Sequence, residues 1–117
     1  MPQTVLVVDD HAGFRAKARL LLEADGYQVI GEAADGQTAV AEASRLRPDV
    51  VLLDVQLPDL DGFDVAAQIT EETPALAVVL TSSRDWSDSA ALIVRSGARG
   101  FVPKDQLSGE AVAGLLA

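Results

Sequence analysis

Five short apolar runs, Val5–Val8, Val29–Ala34, Val50–Leu53, Leu76–Leu80 and Gly100–Pro103, alternate with stretches whose apolar residues recur at helical spacing. Run length and β-branched content predict strands for the first set. Between them, Phe14, Ala18, Leu21 and Leu22 share one helical face with Gly26 as a stop. Ala39, Val40, Ala43 and Leu46 do the same within Gln37–Leu46, which Pro48 ends. Phe63, Ala66, Ala67 and Ile69 form a third stripe reset by Pro74, and Ala90, Ala91, Ile93 and Val94 a fourth that runs to Gly97. Gly109–Ala117 is a short, weakly amphipathic fifth. The pattern is βαβαβαβαβα, with strand ends near Val8, Ala33, Leu53, Leu80 and Pro103, about 20–27 residues apart. Such alternation predicts an α/β fold, a five-stranded parallel sheet covered by helices on both faces. Right-handed crossovers then bring all the strand C-termini to one edge, where open α/β sheets bind ligands.

Charged residues follow the first, third and fifth runs. Asp9 and Asp10 follow the first run, Asp54 the third and Lys104 the fifth, while Thr81, Ser82 and Ser83 follow the fourth. A carboxylate at the end of a buried strand needs a partner, a cation or an exposed tip, because an isolated buried charge is costly. Three adjacent carboxylates suit a hard divalent cation with oxygen ligands, Mg²⁺ above softer metals. A phosphoryl group recruited beside it is open to attack by the Asp54 carboxylate, with Lys104 and the Thr81 hydroxyl available to its oxygens. Taken singly, each residue has a plainer reading: an Asp as a turn or N-cap, Thr81 and Ser82 as caps of a helix starting near Asp85, Lys104 as a solvated lysine. Their joint order at one sheet edge favours the site.

The bulk properties narrow the field. A chain of 117 residues with 49% hydrophobic residues is long enough for one core. The net charge of −9 repels nucleic-acid phosphates, and the absence of cysteine removes thiolate metal sites, disulfides and cysteine nucleophiles. Strand-forming residues begin almost at Met1, with no basic leader and no long apolar segment, so no membrane association and a cytoplasmic location are expected.

The acidic pair Asp9-Asp10, the segment "LLDVQLPDLDG" around Asp54, Thr81-Ser82 and Lys104 within "GARGFVPKD" resemble the receiver domain of two-component response regulators. The likeness spans essentially residues 1–117 as one receiver domain, with no output domain within them. It implies a doubly wound, flavodoxin-like (CheY-like) (βα)5 fold of strand order 2-1-3-4-5. It also implies Asp54 as phosphoacceptor and a Mg²⁺ site, with Mn²⁺ as substitute, made by Asp9, Asp10, Asp54 and the backbone carbonyl of Gln56. Thr81 corresponds to the family's switch hydroxyl, Lys104 to its phosphate-binding lysine and Phe101 to its switch aromatic. Gln56 and Ser83 flank the path of attacking water and are candidate controls of phosphoryl lifetime.

The resemblance further implies a sensor histidine kinase as donor, an output domain or downstream protein as target, and phosphorylation-dependent homodimers as one mode of output. The role is that of a phosphoacceptor regulator rather than an enzyme. "DDH" at 9–11 and Lys104-Asp105 in place of Lys-Pro resemble the NarL/LuxR-type subgroup. Pro103 departs from the usual aliphatic residue and removes a backbone donor, which an edge strand would tolerate.

Three other readings compete with the receiver. A pseudo-receiver that binds partners without phosphorylation usually lacks part of the site, and this chain lacks none. A phosphohydrolase with an Asp nucleophile needs a second acid where Gln56 stands. A flavin carrier of the same topology needs a Ser/Thr/Gly-rich loop where Asp9-Asp10-His11 would repel phosphate. His11, the only histidine, reads as a partly exposed neighbour of the acidic pair, Trp86 as the start of the fourth helix, in local packing or partner contact, and Glu71-Glu72 as a solvated helix end.

Overall fold

The computed structural model describes residues 2–86 and 88–117. The chain forms β1 (Thr4–Val8), α1 (Ala12–Ala24), β2 (Gln28–Ala33), α2 (Gly36–Leu46), β3 (Val50–Asp54), α3 (Gly62–Glu72), β4 (Ala77–Ser82), α4 (Ala90–Arg95), β5 (Gly100–Pro103) and α5 (Gly109–Leu116). A 3₁₀ turn, Lys104–Gln106, joins β5 to α5. All strands are parallel and the order is β2-β1-β3-β4-β5, as the resemblance implies.

Alternation along the central strands divides the core into two layers. Leu6, Val8, Val51, Leu53, Val78 and Leu80 pack with Ala39 and Ala43 of α2 and with Val65, Ala66 and Ile69 of α3. Val5, Val7, Val50, Leu52, Val79 and Val102 pack with Ala18 and Leu22 of α1 and Val112 of α5. This parity has a direct consequence at the strand ends. Continuing the second set by two residues reaches Asp9 just after β1, Asp54 on β3, Thr81 on β4 and Lys104 after β5. Polar groups far apart in sequence therefore emerge from the same layer, that of α1 and α5.

Local chemistry sets the helix ends. Asp35 caps α2 by accepting from Thr38 N at 2.7 Å, Asp61 caps α3 through Phe63 N at 2.7 Å, and Ser108 caps α5 through Ala111 N at 3.0 Å. Gly26 takes a φ of 94° in the turn after α1, a conformation that costs glycine little.

Several expectations are corrected. β3 and β4 run further than their apolar residues do, so Asp54 pairs with Thr81 in register, and Thr81 and Ser82 are strand residues rather than caps. β2 starts at Gln28, one residue before its apolar run, with a register shift opposite Val5/Leu6, and ends at Ala33 as expected. Trp86 does not start the fourth helix, which begins four residues later at Ala90. Nor does the expected stripe of that helix face the core. Ala90 and Ala91 are exposed, Val94 is 75% exposed, and Ile93 and the buried Ser96 point inward. Six residues make under two turns, too few for apolar spacing to fix which side is inside. Val65, absent from the expected third stripe, is buried, while Phe63 and Ala67 are half-buried. β5 lies at the sheet edge, which accommodates Pro103.

Candidate functional site

Asp54 ends β3 with only 3% of its surface exposed, beside Asp9 at 0%. Each carboxylate is held by the chain that follows it. Asp54 Oδ1 accepts from Gln56 N at 3.0 Å, and Asp9 Oδ1 accepts from His11 N at 2.8 Å. The Lys104 ammonium lies between their other oxygens, 2.6 Å from Asp9 Oδ2 and 3.2 Å from Asp54 Oδ2. The ring of Phe14, in the first turn of α1, lies beneath it, with Lys104 Nζ 4.5 Å from the ring centroid. Thr81, fully buried, donates its hydroxyl to Val102 O on β5 at 2.7 Å, so the side chain is committed to the neighbouring strand.

Burial pushes the Asp54 carboxyl above its ordinary value of 3.8 and the charge of Asp9 adds to this, while Gln56 N–H and Lys104 pull it back only in part. For Lys104, burial alone would lower the pKa, but the hydrogen bond to Asp9 and the charges of Asp54 and Asp9 outweigh it and hold the ammonium above its usual range. One cation thus faces two buried anions.

The sign of the Asp54 shift gives a prediction. A carboxyl whose pKa is raised on folding contributes stability that is full below its unfolded-state value and is lost as pH rises through the folded one. Without divalent ions, Asp54→Asn is therefore expected to melt above the parent protein at neutral pH. The gap should shrink as pH falls through the acid range. Thermal melts of the two proteins in chelator across pH check this; a gap that widens toward low pH would contradict it.

The sequence-predicted residues do not all converge. Asp9, Asp54, Thr81 and Lys104 meet as described. Asp10 points to the outside, its side chain 37% exposed, and pairs with His11 Nδ1 at 3.1 Å. Asp9, Asp10 and His11 bring one ligand atom each within 4.8 Å of one another, a grouping that includes His11 and not Asp54. Gln56 and Ser83 are exposed, and Phe101 is half-buried against the α2/α3 layer with Trp86, opposite in parity to Thr81. Trp86 meets Phe63 edge-on, with centroids 5.4 Å apart.

The residues fit a hard divalent cation. Asp9 Oδ2 is buried and makes an ion-pair contact with Lys104 but no aligned hydrogen bond, which leaves acceptor capacity, and the strand-end donors are carboxylate oxygens. The loop between Asp54 and α3 is pinned where such a site needs it. Val55 N donates to Thr81 O at 2.9 Å, Gly62 N donates to Val55 O at 2.8 Å, and Gln56 and Asp61 form a bridge.

Two residues the sequence reading overlooked also hold this rim. Asp59 accepts from Gly36 N at 2.7 Å and Gln37 N at 3.0 Å, tying the loop to the start of α2. These bonds, Gly36 first, hold its carboxyl below the ordinary value despite some desolvation. Arg15 donates to Asp9 O at 2.6 Å. Both act on backbone groups, so no side-chain motif announces them.

Residues 5–113 match the response regulator receiver domain model. The chain belongs to the response regulator receiver domain family. It is 36% identical over 107 residues to the transcriptional regulatory protein YdfI of Bacillus subtilis, covering 89% of this chain and 49% of that protein. It is 44% identical over 106 residues to protein-glutamate methylesterase/protein-glutamine glutaminase 6 of Anaeromyxobacter dehalogenans, covering 90% of this chain and 30% of that one. This receiver thus spans less than half the length of both. Among solved structures, a LuxR-family two-component response regulator from an Aurantimonas species superposes with a TM-score of 0.88 at 30% identity, over 99% of this chain and 86% of that one. The methylesterase relative carries most of its length outside the receiver match, so the likeness extends to the receiver alone. No described helix of the receiver is long and apolar enough to cross a membrane.

Proposed function

We propose that this receiver accepts a phosphoryl group from the phosphohistidine of a sensor histidine kinase onto Asp54. The single observation that carries the reading is the buried Asp54 carboxylate ending β3 with Lys104 3.2 Å from one of its oxygens. Asp54 Oδ attacks phosphorus in line, the P–N bond breaks, and the departing imidazole keeps the bonding electron pair. Asp9, Asp10, Asp54 and the Gln56 carbonyl would hold Mg²⁺, which supplies charge neutralisation for the phosphoryl oxygens. Lys104 exchanges part of its pairing with Asp54 for a phosphoryl oxygen, as a point charge. Water later cleaves the acyl phosphate and restores the carboxylate. Intact mass after incubation with a small phosphodonor tests the reading: a gain of about 80 Da that chelator removes supports it. No gain from either a small donor or a phosphorylated kinase would leave the pseudo-receiver.

Output follows from Thr81. To reach a phosphoryl oxygen its hydroxyl must leave Val102 O; the receiver resemblance implies that Phe101, which starts on the α2/α3 side of the sheet, then turns into the vacated space and reshapes the α4-β5-α5 face. Structures with and without beryllofluoride test this; no movement of Thr81 or Phe101 would count against it. Gln56 and Ser83, both exposed, flank the route of attacking water and set the phosphoryl lifetime. Substituting both is expected to change the dephosphorylation rate several-fold, on the order of the effect of losing one positioned polar group; an unchanged decay would remove them from that role. The partner is a histidine kinase and the output is an attached or separate effector, in the cytoplasm.

A further inference from the structure

Three polar atoms of Asp9 are hydrogen-bonded and the fourth, Oδ2, faces an ammonium, and one of these contacts comes from outside the strand-end set. Its N donates to Ala33 O of β2 at 3.0 Å, Oδ1 accepts from His11 N, Oδ2 faces Lys104, and its carbonyl accepts from Arg15 Nη1 at 2.6 Å. The same guanidinium donates through Nε to Glu32 Oε1 on β2 at 2.9 Å, and its side chain is only 17% exposed. Glu32 is fixed in turn by Arg19, whose Nη2 reaches Oε2 at 3.0 Å while Nη1 donates to Val29 O at 3.1 Å. Hydrogen bonds from Arg19, then Arg15, hold the Glu32 carboxyl below its ordinary value against a desolvation cost.

Arg15 therefore joins the carbonyl of a buried acid at the tip of β1 to an anchored carboxylate on the adjacent strand. A planar fork can hold two acceptors in fixed directions, which a flexible ammonium cannot. Asp9 lies past the last residue of β1, where no strand ladder fixes its carbonyl; Arg15 supplies that restraint. We infer that Arg15 is a positioning residue for the divalent-cation site: by clamping Asp9 O against Glu32 it sets the direction of the Asp9 carboxylate and with it the affinity of the acidic pair for Mg²⁺. The inference rests on the metal site proposed above. Outer partners that orient a ligand commonly matter to metal affinity about as much as a weak ligand does.

Charge and geometry predict opposite signs. Deleting a cation near the pocket should by Coulomb attraction tighten binding of a dication, whereas loosening Asp9 should weaken it. Arg19 pairs with Glu32 but not with Asp9, so Arg19→Met serves as the control with the same charge change. Mg²⁺ titration calorimetry on the parent protein, Arg15→Met and Arg19→Met, with thermal melts alongside, makes the test. Arg15→Met is expected to raise the Mg²⁺ dissociation constant about tenfold, the low end for loss of an outer-shell partner. Arg19→Met should leave it equal or lower, although both lower the melting temperature. An Arg15→Met constant equal to or below the parent value, or an equal rise in both variants, overturns the inference. Should Arg15→Met fail to fold, Arg15→Lys keeps the charge and loses the fork; there a weaker Mg²⁺ affinity supports the clamp and an unchanged one overturns it. Absence of saturable Mg²⁺ binding by the parent protein would overturn the metal site and the clamp together, whereas binding that Arg15 does not influence would overturn the clamp alone.

Discussion

Asp54→Asn is expected to gain no mass under conditions in which the parent protein gains one phosphoryl group, about 80 Da, in the presence of Mg²⁺. The substitution is nearly isosteric, so the buried end of β3 keeps its shape and Gln56 N keeps an oxygen acceptor. What disappears is the anionic nucleophile, and an amide oxygen does not replace it. Removing one of two anions facing Lys104 leaves a simple pair with Asp9, which should not unfold the protein. Loss of uptake with an intact melt would thus report chemistry rather than folding. A gain that persists in Asp54→Asn would sink the assignment and point to another acceptor, with the exposed His11 first in line.

Gly62→Ala is expected to be the most destabilising single-methyl addition near the site. A Cβ at Gly62 would press on the Asp54 carbonyl, and it would come within 2.5 Å of Val55 Cα and 2.7 Å of Val55 O. These are backbone atoms in the segment that carries Asp54, and they cannot move aside as a flexible side chain can. The backbone conformation at Gly62 is not what demands glycine; the lack of space is. Overpacking against backbone costs about 3 kcal/mol, at the upper end of the usual range for inserted methyl groups. That lowers the melting temperature by about 10 °C for a domain of this size. Relaxation would displace Asp54 and Gln56 together, so phosphoryl uptake should also slow. A melting temperature within about 2 °C of the parent, less than 1 kcal/mol, would refute the steric account.

The strand-end acids were legible in sequence because an apolar run that stops at a carboxylate is a local signal, and the polar residues that follow the first, third, fourth and fifth runs together define a rim. Lys104 was legible only through that order. The helix ends were readable where a Gly or Pro marks them, as at Gly26, Pro48 and Pro74. Other features were not, for definite reasons. The inward side of α4 depends on the phase of fewer than two turns, so Val94 reads as core and lies outside. The extension of β4 through Thr81 and Ser82 is dictated by pairing with Asp54 and β5, a non-local cause invisible to residue preference. Arg15 and Asp59 hold backbone groups 6 and 22–23 residues away, and nothing in their own neighbourhood shows that these groups will come near.

Because Asp9, Asp54, Thr81 and Lys104 all extend the alternation that faces α1 and α5, the length of each strand behaves as an odd-or-even quantity. Deleting one residue within Val50–Leu53 would turn the following acid toward the α2/α3 layer, a change no side-chain rearrangement can undo. Gaining or losing residues between Ser83 and Ser89 alters no such count, since Thr81 has already been placed. The approach to the fourth helix is therefore free of the constraint that binds the strands. The chemistry stays locked to strand lengths that can change only by two.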